Sequence, residues 1–127
     1  MKVVLVACSG GVVSGLLCNS IKKAGLNSNI KIECDSILNI NNKENLNKYK
    51  DNDVLLIYCG ANQLNKTSIN TFSDSLKGIF VAPQLRYYIP NILPIIASKN
   101  IYCTSIDNNV FTSMDGNKIL DYIMDKI

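Results

Sequence analysis

Three short runs of unbroken apolar residues constrain this chain more than anything else in it: VVLVA at residues 3–7, VLLIYC within the stretch DVLLIYC at 53–59, and GIFVA at 78–82. A strand with one wet face alternates apolar and polar residues, whereas a run without alternation belongs to a strand covered on both faces, as in a parallel sheet. Between the runs, apolar residues recur at helical spacing. Leu17, Ile21 and Ala24, with Leu16 and Ser20, mark a helix over residues 13–24, and Gly25 is its stop. Ile69, Phe72 and Leu76 mark a second, starting near Thr67 or Ser68. Leu85, Tyr88, Ile89, Ile92, Leu93 and Ile96 mark a third within residues 83–98, where Pro90 and Pro94 predict a kink or an early break. Asp115 caps a closing helix with the stripe Ile119, Leu120, Ile123 and Ile127. Period-two alternation at 29–34 and the run at 101–104 predict two further strands, and the Asn- and Lys-rich stretch 39–52 a weak helix around 43–49. Strands alternating with helices are βαβ units. The expectation is one α/β domain over residues 1–127, three-layer α/β/α, with a mainly parallel four- to five-stranded sheet.

In such sheets ligands bind at the carboxyl ends of strands. The first run ends at Cys8; Cys59, Pro83, Gln84 and residues 104–107 fall at other strand ends. After Cys8 come Ser9, Gly10, Gly11, Val12, Val13, Ser14 and Gly15. Gly10 and Gly11 let backbone N–H groups approach a ligand without side chains in the way. A helix beginning near Val13 or Ser14 adds unpaired N–H groups and the positive end of its dipole. That environment suits phosphate and favours thiolate over thiol. The stretch therefore reads as a thiol that carries or attacks a phosphoryl group, with the amides of residues 9–15 and the Ser14 hydroxyl as its cradle. Cys59 is the rival nucleophile, lacking the glycine cluster and the immediate helix; Cys18 falls on the first helix but off its main apolar stripe, and Cys34 and Cys103, in strands, read as structural. Gln84 and Arg86 follow a strand that should neighbour the Cys8 loop. Gln84 is a candidate to line the phosphate or a partner surface, and Arg86 either attracts phosphoryl donors or is a solvated helix residue.

Several chemistries are excluded by what is missing. The chain has no histidine, so Cys–His catalysis in cis is ruled out. Gly10 to Gly15 fits GxxxxG, but Leu16 and Leu17 stand where a nucleotide-binding loop needs Lys and Ser/Thr. A Cys-x5-Arg phosphatase loop would need Arg where Ser14 stands, and without that guanidinium hydrolysis should be poor. Five cysteines, an odd number without a CxxC pair, predict neither a disulfide framework nor a zinc site, and no cofactor is expected. Net charge is +3, with the lysines scattered, one Arg and no Trp, so nucleic-acid binding is not expected. No apolar run approaches the ~18–20 residues that span a bilayer. With only Lys2 ahead of the first strand, no signal peptide is read, and a cytoplasmic location is expected.

The stretch from Cys8 to Leu17 resembles the phosphocysteine loop of the lactose/cellobiose/chitobiose-type enzyme IIB components of the sugar phosphotransferase system. The block Ile79-Phe80-Val81-Ala82-Pro83-Gln84-Leu85-Arg86-Tyr87 is similar to that family's apolar strand followed by Gly/Ala-Pro-Gln. Ile106-Asp107 and Met114-Asp115-Gly116 also fit, in the right order. Two departures stand out: Val13 and Gly15 lie where the family carries hydroxyl residues, and residues 53–77 look like an insertion, atypical of a four-stranded family, that adds a fifth strand or elaborates an edge. The resemblance implies that Cys8 takes a phosphoryl group from a phosphohistidine on a IIA protein. Cys8 then passes that group to a sugar, such as the β-diglycosides cellobiose, lactose or chitobiose, imported by a membrane IIC permease. The protein would then visit the inner face of the membrane transiently. A degenerate, regulatory IIB-like binding protein and a small Cys-dependent phosphatase or reductase are the alternatives.

Overall fold

The three unbroken apolar runs become the three inner strands of one sheet. The computed structural model describes residues 1–40 and 42–127. Its strands are β1 (Lys2–Cys8), β2 (Ile32–Ser36), β3 (Val54–Gly60), β4 (Leu76–Val81) and β5 (Tyr102–Ser105), in the order β2-β3-β1-β4-β5. Every pairing is parallel, so all carboxyl ends lie along one rim. β2 and β5, the edges, are only partly buried along most of their length, which is why their sequences are short and mixed.

The helices are α1 (Val12–Asn27), α2 (Lys43–Leu46), α3 (Lys66–Phe72), α4 (Ile89–Ile96), α5 (Asn108–Ser113) and α6 (Gly116–Met124). The period of two along a strand divides the core in two. Val3, Leu5 and Ala7 of β1 join Leu55, Ile57 and Cys59 of β3 beneath α2, α3 and α4. Val4, Val6 and Cys8 join Leu56 and Phe80 beneath α1, α5 and α6. The thiols of Cys8 and Cys59 therefore lie on opposite faces of the sheet, because Ala7, which pairs with Cys59 in register, points away from its neighbour Cys8. The architecture is a three-layer α/β fold, as expected.

Several boundaries differ from the sequence expectation. α1 starts at Val12 and runs through Gly25 to Asn27. Leu76 is not the last turn of α3 but the first residue of β4; a register shift between Val3 and Val4 makes Lys77 the extra residue and restores Leu76 to the same core face as Ile79. The proline-containing segment splits as predicted, into a 3₁₀ turn at Pro83–Tyr88 and then α4, with Pro90 in its first turn and Pro94 inside it. Ile127 lies beyond the end of α6. α5 was not expected; with six residues it is too short to show a period, and its signal is the Asp107 carboxylate accepting from the N–H groups of Asn109 and Val110. Residues 53–77 supply β3 and α3, and β3 is no elaborated edge: it is hydrogen-bonded to β1 on one side and β2 on the other.

Candidate active site at Cys8

β1 ends by delivering Cys8 to a sharp turn that only glycine makes cheaply. Gly11 has φ 86°, left-handed, and is the N-terminal cap of α1. That turn aims two amides at the sulfur: Gly11 N–H donates to Cys8 Sγ at 3.0 Å and Ser14 N–H at 3.3 Å. Ser14 Oγ lies 3.4 Å from Sγ, 2.9 Å from the carbonyl of Gly11 and 3.3 Å from that of Cys59. Val12 and Val13 stand in the first turn, where backbone N–H groups have no intrahelical acceptor. No acidic residue occupies that turn of this 16-residue helix, so the positive end of its dipole is left for an anion.

The electrostatics single out one thiol of five. Burial pushes the Cys8 thiol up, but the Ser14 hydroxyl and the N–H groups of Ser14, Gly11 and Gly10 outweigh it, and the pKa lies below the ordinary value. The other four move the opposite way. Burial pushes Cys59 up to about 12, with a further push from a charged Cys8. Burial raises Cys103 to about 11, and raises Cys18 and Cys34 as well. Of the five thiols only that of Cys8 is shifted toward the thiolate; Cys59, facing the opposite core, behaves as a small buried hydrophobe.

Cys8 is 5% exposed and is reached through a cleft of about 370 Å³ lined by Cys8, Ser9, Gly10, Val12, Val13, Gln84 and Phe111. The cleft lies between the end of β1 and the segment following β4. β1 is also where the chain divides, passing through α1 to β2 on one side of the sheet while β4 lies on the other. Crevices at such points are where open α/β sheets place ligands. Among the described residues, no charged side chain lines this cleft. Arg86 opens instead onto an adjoining cleft with Pro83, Gln84 and Asn108, and Gln84 is the wall the two share. Phe111 was missed by sequence reasoning, because its place depends on α5 folding back over the rim.

Of the residues read from sequence, Cys8, Ser9, Gly10, Val12, Val13 and Gln84 meet around the cleft. Gly11 and Ser14 sit behind the sulfur, and Ser14 is completely buried. Gly15 is not at the cleft. A Cβ there would stand 3.2 Å from the Tyr58 ring on β3, so the ring packs where a side chain at this position would begin. Val13 keeps 41% of its surface exposed and forms part of the apolar rim. Among the described residues, no cluster of His, Cys, Asp or Glu is arranged to hold a metal ion, and no helix is long and apolar enough to cross a membrane.

Fold and site together define a parallel α/β protein with a hydrogen-bonded thiol at the N-terminus of its first helix. No model of a known protein family matches this sequence, and no curated protein matches it. Among solved structures it is similar to a de novo designed protein with a P-loop NTPase fold, determined by NMR, at 13% identity over 99% of this chain and 97% of that one, with a TM-score of 0.49.

Proposed function

We propose that this chain is a phosphocysteine phosphoryl carrier of the enzyme IIB type, accepting a phosphoryl group on Cys8 from a IIA phosphohistidine and donating it to a sugar taken up through a IIC permease. The observation that carries the reading is that Cys8, alone among five cysteines, has its thiolate favoured, by hydrogen bonds converging from the Gly11–Ser14 turn. Transfer begins with Sγ attacking phosphorus as the bond to the histidine nitrogen breaks; the imidazole leaves and the thiophosphate forms. The first-turn amides then face the phosphoryl oxygens. In the second transfer the same sulfur leaves as a thiolate, and the hydrogen bonds that made it a nucleophile make it a good leaving group. A cleft with no cationic side chain suits a carrier, because it gives water no help in attacking the phosphoryl group. The work would be done at the inner face of a membrane, on a β-diglycoside.

The test is reconstitution with phosphoenolpyruvate, the general phosphotransfer proteins, IIA, and vesicles holding IIC and a β-diglycoside. Sugar phosphate should form with the wild-type chain and not with Cys8→Ser. Formation without dependence on Cys8 sinks the proposal, and steady release of phosphate from an aryl phosphate would favour the phosphatase.

A further inference from the structure

Ser14 is the one polar residue of the chain that is completely buried, at 0% exposure among the described residues. Its hydroxyl has a single proton and three neighbours able to accept it: Gly11 O at 2.9 Å, Cys59 O at 3.3 Å and Cys8 Sγ at 3.4 Å. A neutral thiol has its own proton to give, so S–H donates to Oγ and the hydroxyl donates to the Gly11 carbonyl. A thiolate can only accept. The hydroxyl then turns about its C–O bond and donates to Sγ. Gly11 O is not orphaned by that turn, because it also accepts from Gly15 N–H at 3.2 Å. A sulfur carrying a phosphoryl group has no proton and little charge, and the hydroxyl returns to Gly11 O. Each state of Cys8 is thus met without an unpaired polar group in a buried site, which is the arrangement that makes interconversion cheap.

We propose that Ser14 is a positioning residue for Cys8, a hydroxyl that reorients between the Gly11 carbonyl and Sγ as the sulfur changes state, and that it serves the sulfur rather than the phosphate. Its burial behind Cys8, on the side of β3 rather than of the cleft, places it away from the phosphoryl oxygens. Its value for group transfer rests on the carrier reading, whereas its action on the thiol does not. The titratable groups coupled to Sγ are the thiols of Cys18 on α1 and Cys59 on β3. Burial raises both, so they stay neutral through the range in which Cys8 ionises. From the α5 side the cleft presents Phe111, and from the segment after β4 Gln84, neither of which carries charge.

The test is the pH dependence of Cys8 alkylation in the whole native chain, followed by peptide-resolved mass spectrometry with iodoacetamide as probe. Ser14→Ala removes one oxygen and adds helix propensity, so the fold is retained. The midpoint should rise by about one pH unit, which is about a tenfold lower rate at pH values below both midpoints. Ser14→Thr keeps the hydroxyl and should return the midpoint toward wild type. An unchanged midpoint in Ser14→Ala overturns the proposal, and so does a Ser14→Thr midpoint as high as that of Ser14→Ala, since packing rather than the hydroxyl would then be responsible. No phosphoryl donor takes part. If Cys8 titrates as described and yet never accepts a phosphoryl group, the carrier reading fails and the role of Ser14 stands.

Discussion

Replacing Gly11 by alanine isolates the turn that makes Cys8 reactive, and replacing its neighbour Gly10 is the natural control. Gly11 sits at φ 86°, and a left-handed alanine costs roughly 1–2 kcal/mol. The added Cβ would meet Gly60 N at 3.4 Å and the Cys59 carbonyl carbon at 3.5 Å, ordinary contacts that add no clash. Alanine restricts the unfolded chain, which offsets about 0.4–1 kcal/mol. The net is a loss of about 1 kcal/mol, or a fall in Tm of about 4 °C for a domain of this size. Relief of the strain would come from rotating the turn, which carries the Gly11 N–H, the shorter of the two amide contacts to Sγ at 3.0 Å, away from the sulfur. The Cys8 titration midpoint should rise accordingly. Gly10 is not left-handed, and a Cβ there meets nothing within 4 Å, so Gly10→Ala should keep both stability and midpoint. Urea unfolding gives the first quantity and pH-dependent alkylation the second. Equal behaviour of the two variants would refute the claim that the Gly11 turn aims the amide.

Three further outcomes are expected. In Gly116→Ala a Cβ would stand 2.2 Å from the Ser20 carbonyl oxygen, so α1 and α6 must part; a loss of about 3 kcal/mol in urea unfolding is expected, against near-neutrality if the helices slide freely. Asp107→Ala removes the cap of α5 and should cost about 1 kcal/mol while loosening Phe111 over the cleft, seen as faster Cys8 alkylation without a shifted midpoint. Stability should also fall in alkali: the folded Cys59 is raised to about 12 and Cys103 to about 11, from an ordinary 9.0. A raised acid contributes fully below its unfolded pKa and loses that contribution as pH climbs toward the folded one. The urea midpoint should therefore drop between about pH 9 and 12, and Cys59→Ala should flatten the drop. Cys8, lowered, runs the other way, its contribution present above the ordinary thiol range and lost as pH falls through the folded value.

What could be read from the residues was local. Val3, Val4, Leu5, Val6 and Ala7 are all 1% exposed or less, so an unbroken apolar run correctly announced an inner strand. Asp115 caps α6 as its position promised, with the N–H groups of Asn117 and Lys118 donating to it. The thiol at the strand end, the glycines and the helix start were legible for the same reason, being neighbours in sequence. What escaped depends on contacts distant in the chain. Nothing in the segment 53–77 says that β3 enters between β1 and β2, because strand order is decided by which layers the helices cover. The absence of a side chain at Gly15 makes sense only once the Tyr58 ring is seen against it. Lys77 looks like part of a helix-to-strand boundary until pairing shows it to be the extra residue of an irregular register. Phe111 enters the cleft through a helix too short to carry a period.

Phosphorus NMR of the chain after incubation with a phosphorylated IIA protein decides whether Cys8 holds a transferable phosphoryl group. One thiophosphate resonance is expected, absent from Cys8→Ser, present in Cys59→Ala, and lost when IIC vesicles and sugar are added. A chain that shows no such resonance with any IIA donor, while Cys8 still alkylates as a thiolate, contradicts the carrier reading.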